Sequence, residues 1–238
     1  MTRPVSLATL LPALLFAAPS IAQETSARPG GDGAVTTEET GVASTSPEDR
    51  LGAVLAPATL PDGTTSLYGY VGAPELGVGF RQGISGFELE ARVRLNWFQL
   101  SAALELAGRV KVFERGSVTM APTLSLGVVG NTGATYMDDD NFSGVLVRMS
   151  PGLVTGWRVA ETVTLLGLVD VPVDIGLSNA DSRRIQALGG GGAEVYLGND
   201  LSVLVAGQLG VESFRERRGL SDTRLGWGVR VGLGARLF

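Results

Sequence analysis

The sequence predicts an all-β fold: an antiparallel up-and-down β-barrel of ten strands, with eight as the alternative count. Three observations carry that prediction. Residues 87–97 read FELEARVRLNW, placing Phe87, Leu89, Ala91, Val93, Leu95 and Trp97 on one face and Glu88, Glu90, Arg92, Arg94 and Asn96 on the other. Strict period-two alternation marks a strand between an apolar and a polar environment. The pattern recurs almost without interruption to the end of the chain. Beyond the N-terminal segment there is no apolar run of transmembrane-helix length, so any later membrane insertion must use strands.

Composition narrows the function classes. The chain has 238 residues, 34 of them Gly, with no Cys and no His and a net charge of −5. That length suits one domain plus extras. The negative balance argues against a nucleic-acid partner, which needs a clustered basic face. Without Cys there are neither disulfides nor thiolate metal sites. Lys111 is the only Lys, a bias toward Arg that reflects genomic base composition.

The first residues have the form of a secretory signal peptide, expected over 1–22. Arg3 supplies the positive start, residues 5–18 the apolar core, and Ser20-Ile21-Ala22 a small-x-small cleavage site after Ala22. The core is short and interrupted by Pro, unlike a spanning helix, and no Cys follows it as in a lipoprotein signal. Residues 23–50 are rich in Ser, Thr, Gly and acid. They cannot bury enough apolar surface to offset ordering entropy and are expected to form a disordered acidic tail, a spacer. The barrel is expected over 51–238.

Within it, Tyr68, Tyr70, Leu76, Val78 and Phe80 share one parity, with Glu75 and Arg81 on the other, and are read as one strand. The phase flips between Trp97 and Leu100, which places a tight turn there. Strands follow around Leu104 and Leu106, Leu124 and Leu126, Val147 and Trp157, and Val169 and Ile175. A Gly-rich strand then runs to Leu197, followed by strands around Val203 and Val205 and around Trp227 and Leu233. This gives nine strands, whereas single-chain bacterial barrels have an even number. Residues 51–60, joined through the turn sequence Pro61-Asp62-Gly63, are the expected tenth. The short turns Glu114-Arg115-Gly116, Ala160-Glu161-Thr162 and Gly198-Asn199-Asp200 fall on one side, and the longer loops 131–141, 178–183 and 215–222 on the other. That asymmetry is the pattern of bacterial outer-membrane barrels.

Alternation alone does not say which face is inside, since a soluble lipocalin-like barrel alternates too. Side-chain size decides. The apolar face is bulky Leu, Val, Trp and Phe. The opposite face is small or charged, with Gly77, Gly79, Ala103, Ala121, Ser125, Gly127, Gly190, Ala206 and Gly232. A barrel of eight to ten strands has a narrow interior that side chains largely fill, and bulky aliphatics from every strand would not fit there. Turning Arg92 and Arg94 to lipid would cost about 2–4 kcal/mol each near the midplane. Trp97, Trp157 and Trp227 share the apolar parity near strand ends, as in an aromatic girdle. The expected fold is therefore a transmembrane barrel.

On these residues the chain resembles small bacterial outer-membrane β-barrels, the general class that includes the outer-membrane protein A barrel and porin-like barrels. Its C-terminus resembles the signal read by the barrel-assembly machinery, with Arg230, Gly232, Ala235, Leu237 and Phe238 in the corresponding places. The resemblance implies a Gram-negative outer-membrane location, with lipid, lipopolysaccharide and the assembly machinery as partners. The sequence sets no oligomeric state.

On this parity the lumen receives Glu88, Glu90, Arg92, Arg94, Glu105, Arg109, Lys111, Arg148, Asp170, Asp174, Glu194 and Arg230, together with Glu75, Arg81, Arg158, Arg184, Glu212, Arg224 and Arg236. In a narrow lumen, charges of both signs must pair or lose solvation. The expected function is an integral barrel with a plugged lumen and a structural or surface-interaction role. The alternative is a narrow, porin-like small-solute channel, and a secreted soluble lipocalin-like barrel stands third. Enzymatic activity is not expected, because outer-membrane barrel enzymes rely on a catalytic His and the chain has none. Asp170 and Asp174 share a face and are read as paired lumen charges. Asp138-Asp139-Asp140-Asn141 lacks the alternate spacing of a calcium loop and reads as a solvated tip. The run Gly189-Gly190-Gly191-Gly192 has no following Lys-Ser/Thr, so it is not a phosphate loop, and no cofactor is expected.

Overall fold

The computed structural model describes residues 52–134, 141, 143–177, 182–215 and 221–237. The expected signal peptide with Ala22, the tail 23–50, the acidic residues 138–140 and Phe238 lie outside the described residues.

Twelve strand segments follow in order: β1 (Thr65–Ala73), β2 (Glu75–Ile84), β3 (Phe87–Asn96), β4 (Ser101–Val110), β5 (Phe113–Arg115), β6 (Val118–Thr132), β7 (Ser143–Ala160), β8 (Val163–Asp170), β9 (Val173–Gly176), β10 (Arg183–Gly198), β11 (Leu201–Arg215) and β12 (Ser221–Arg236). They make ten wall strands. β4 and β5 pair with the same side of β6 and are one strand broken at Lys111-Val112. β8 and β9 lie together between β7 and β10, broken at Val171-Pro172, where Pro has no N–H for the ladder. Every neighbour is antiparallel, and β12 pairs back onto β1, so the sheet closes and leaves no free edge along most of its length.

Register fixes the shape. Cross-strand partners run from Gly234 through Tyr68, Gly79, Arg92, Glu105, Gly127, Arg148, Asp174, Arg184 and Phe214 to Asp222. The path thus returns to β12 twelve residues from its start, a shear of 12 for ten strands. With ordinary strand spacing, that sets a tilt of about 40° and a backbone radius of about 10 Å. The chain reverses tightly at Ser85-Gly86 and at Asn199-Asp200, both with positive φ, at the end where strand β1 begins.

The solvent-facing wall is a belt of Leu, Val, Phe and Trp, with Leu106 67% exposed and Val71 67% exposed. The buried interior holds Arg81, Glu88, Glu90, Glu105, Arg109, Arg184 and Glu194 of strands β2, β3, β4 and β10. Charge inside and hydrocarbon outside is the inversion expected of a protein whose solvent is lipid. Among the described residues no helix is long and apolar enough to span a membrane, and the crossing elements are strands.

Two expectations need correction. Residues 51–60 are not the tenth strand. Residues 52–60 form no strand and lie inside the barrel, with Ala53, Val54, Ala56, Ala58 and Leu60 all buried. The even count comes instead from the segment read as one strand around Tyr68 and Phe80. It breaks at Pro74 into β1 and β2, because Pro interrupts the ladder. The reversal changes parity, so Tyr68 and Tyr70 point into the lumen while Leu67 and Val71 face outward. Burial inside suits a phenol better than lipid does, since the Tyr68 hydroxyl donates to the Glu90 carboxylate.

Candidate functional site

The lumen is built in tiers. At the end nearest the short turns, residues 52–60 cross it, and two carboxylates hold them. Glu194 of β10 accepts hydrogen bonds from the Ala53 and Val54 amides on Oε1, at 2.7 and 2.8 Å, and from the Leu55 and Ala56 amides on Oε2, at 2.8 and 2.7 Å. The Ser202 hydroxyl donates to the same carboxylate at 2.6 Å. Glu88 of β3 accepts from the Leu60 amide at 2.7 Å, and Arg81 donates to Pro57 O at 3.1 Å. The wall makes room with small residues: a Cβ on Gly234 would stand 2.9 Å from the Ala53 carbonyl carbon. Val54, Leu55, Ala56 and Ala58 then pack against inward Tyr68, Ala121, Val154, Leu166, Leu204 and Ala206, a small apolar core inside the barrel.

Above this segment the charges pair across strands because register sets them side by side. Glu88 lies opposite Arg109, and Arg81 opposite Glu90. Arg81 grips Glu88 in a two-point fork, Nε at 2.7 Å and Nη2 at 2.8 Å. Arg109 reaches Glu90 at 2.5 Å. Arg92 and Glu105 are register partners joined at 2.7 Å, and Glu105 also receives Arg94, with Arg148 at 3.3 Å. Arg148 forks onto Asp174, its own register partner, at 2.6 and 2.7 Å. Arg184 and Arg224 share Glu212 at 3.3 and 2.8 Å. The shear line that wraps the barrel is therefore also a line of alternating charge: Arg92, Glu105, Arg148, Asp174, Arg184. Bidentate guanidinium–carboxylate pairs are the geometry that best offsets the loss of water in such a space.

The structure places eleven of the twelve expected lumen charges in the interior, and Lys111 apart from them. Lys111 sits at the break after β4, exposed at the turn end, and pairs with Glu114 at 2.6 Å. The interruption of the ladder there turns the side chain out of the lumen. Asp170 and Asp174 do not form a pair: Asp174 belongs to Arg148, and Asp170 accepts from Gln208 at 3.0 Å. Among the described residues no group of acidic side chains is arranged to hold a metal ion.

The three tryptophans divide between the two ends. Trp157 is exposed beside the 161–162 turn. Trp97 lies at the opposite end, donating its indole N–H to Gly72 O at 2.9 Å, and contacts Phe98, which meets Trp227 edge-on at 6.0 Å. Of the expected assembly-signal residues, Ala235 and Leu237 follow the outward parity of β12, while Arg230 and Gly232 face the lumen.

Sequence reasoning missed Tyr68, Tyr70, Ser202, Gln99 and the internal segment. Gln99 sits in the β3–β4 turn, yet it is buried and accepts from Arg184 of β10 at 2.6 Å. The turn therefore folds over the lumen mouth. Leu100 at φ +47 marks the turn, and Asn141 donates to Gln99 O at 2.9 Å. Pro74 and the small-residue run Gly52-Ala53, Ala56, Ala58 were the signals available in the sequence.

No protein-family model matches the sequence, and no curated protein does. Among solved structures, a KdgM porin in complex with disordered oligogalacturonate matches at 9% identity over 74% of this chain and 99% of its own, with a TM-score of 0.42. A NanC porin matches at 10% identity over 73% of this chain and 100% of its own, TM-score 0.40. The outer membrane protease OmpT from Escherichia coli matches at 9% identity over 73% of this chain and 93% of its own, TM-score 0.32. Porins and a protease thus stand side by side, and fold does not choose among them. The chain is a small barrel of the outer-membrane type, with an apolar outer belt and a charged lumen.

Proposed function

We propose that this protein is exported by its N-terminal signal, inserted by the barrel-assembly machinery through its β12 residues, and resides in the outer membrane as a barrel closed to bulk solute. Its role on this reading is structural or surface-interacting, in contact with lipid and lipopolysaccharide, and not catalytic. One observation carries the closed lumen: residues 52–60 are strung across it and anchored at both ends by Glu88 and Glu194. A segment held by five such buried amide–carboxylate hydrogen bonds does not leave the lumen at thermal cost alone, since each buried amide stripped of its acceptor costs about 1–3 kcal/mol. The paired charges above it further narrow the path.

Reconstitution of the purified protein into planar bilayers tests the reading. The expected result is little conductance. Large, stable ohmic steps would overturn it in favour of the porin-like alternative. Fractionation tests the location: pelleting with outer membranes and heat-modifiable gel migration are expected, and a soluble periplasmic or secreted product would contradict it.

A further inference from the structure

Strand β1 ends at Ala73, opposite Val229, whereas β12 continues upward to Ser221. Residues 222–228 of β12 therefore pair with β11 on one side and have no β1 partner on the other. A cavity of about 320 Å³ lies above the internal segment, and it reaches this unpaired edge. Its lining includes lumen-facing Arg224 and Arg230 and also Leu225 and Trp227, which are on the outer face of the same strand. Residues 224–230 line it without a gap, inward and outward parities alike, so the cavity reaches the edge of β12 that lacks a β1 partner. The opening is framed by Pro74 at the β1–β2 turn and by Phe98, whose ring meets Trp227. It lies at the end of the barrel that carries the longer loops.

Among the described residues, the polar end of the cavity has one cation without an ion pair, Arg230. Arg92, Arg94 and Arg109 are committed to Glu105, Glu75 and Glu90. Arg230 makes no ion pair among the described residues. Its guanidinium rests over the Tyr70 ring, 5.8 Å from the centroid. The Tyr70 hydroxyl is itself buried and has no hydrogen-bond partner among the described residues. An unmatched guanidinium beside an unused phenolic donor is a site for an anion. Apolar side chains at the mouth suit a hydrocarbon tail, and the volume falls in the range of small-molecule sites.

We propose that this opening is a lateral portal. Through it a single-chain amphiphile with an anionic head group enters from the surrounding leaflet, its head received by Arg230 and Tyr70 and its tail lying against Leu225 and Trp227. The proposal rests on the membrane-barrel reading but not on the closed lumen.

The test is fluorescence titration of 11-(dansylamino)undecanoic acid into the full-length mature protein in phosphatidylcholine nanodiscs, with empty discs as reference. A Cβ on Gly228 would meet Ala73 O and Pro74 Cδ at 3.8 Å, ordinary contact distances, so Gly228→Leu places an apolar side chain at the portal. Saturable binding to the wild type is expected, weakened at least tenfold by Arg230→Gln, restored to within threefold by Arg230→Lys, and abolished by Gly228→Leu. The uncharged carboxamide of the probe should bind at least tenfold more weakly than the acid. Wild-type signal equal to that of empty discs overturns the portal alone, as does wild-type affinity in both Arg230→Gln and Gly228→Leu. Failure of the folded wild type to enter the discs overturns the portal and the membrane reading together.

Discussion

Glu88 and Glu194 stand on strands five places apart in a ring of ten, on opposite walls of the barrel, and hold opposite ends of the same internal segment. The two anchors differ in kind. Glu88 is charge-balanced by Arg81 and Arg109. Glu194 has no cation within ion-pair distance among the described residues. Four backbone amides and the Ser202 hydroxyl surround its carboxylate instead. The segment therefore supplies the dipoles that make a buried Glu194 tolerable, and Glu194 supplies the acceptors that make a buried, strandless backbone tolerable. Neither is stable inside the barrel without the other.

Glu194→Gln tests that mutual dependence. The substitution keeps the volume but turns one acceptor oxygen into an amide donor facing backbone N–H groups. A loss of about 3 kcal/mol is expected, from buried donors left without acceptors. Urea unfolding of the protein in lipid vesicles measures it. An unchanged midpoint would mean that the segment is not bound where it lies.

The absence of native Cys makes the segment's location open to cross-linking. The Ala53 amide lies 2.8 Å from the Ser202 hydroxyl oxygen. Ala53→Cys with Ser202→Cys should therefore oxidise to a disulfide, read as a mobility shift on non-reducing gels. Ala53→Cys with Val203→Cys should not, because residue 203 follows the outward parity of β11 and a disulfide needs its Cα atoms within about 7 Å.

The Arg148 and Asp174 pair is almost wholly buried, so removing one partner strands the other. Arg148→Ala or Asp174→Ala alone is expected to cost about 3–5 kcal/mol. A double-mutant cycle in the same vesicle assay should return a coupling of about 1–3 kcal/mol. Additive effects would contradict a direct pair.

Leu106 tests the inversion of the two faces. It is among the most exposed residues of the wall, flanked on β4 by buried Glu105 and Ala107. Leu106→Arg should destabilise the barrel in a bilayer by about 2–4 kcal/mol if that face meets hydrocarbon. In a soluble barrel the same change would be near neutral, a surface substitution within about 0.5 kcal/mol.

The wall was legible in the sequence because strand parity is a local property. In β3 each of Phe87, Leu89 and Val93 needs only its neighbours to declare its face. The side-chain pairs were legible as a set but not individually, since register depends on turns and bulges: Arg148 meets Asp174 because the two-residue turn at 161–162, with the register shift between Arg158 and Ala160, sets how β7 aligns with β8 and β9. Residues 52–60 were illegible as a plug for a different reason. Their alternation is weak because they face lumen on all sides, and a short small-apolar run looks alike in a strand and in a threaded segment. Tyr68 and Tyr70 were assigned to lipid through one overlooked reversal at Pro74, and a single-residue change of phase exchanges the two faces of everything before it.

Single-channel recording of the wild-type barrel in planar bilayers tests the central claim most directly. A lumen crossed by residues 52–60 predicts a silent membrane, or only rare small openings, after confirmed insertion. Large, steady ohmic steps from the intact protein would contradict it.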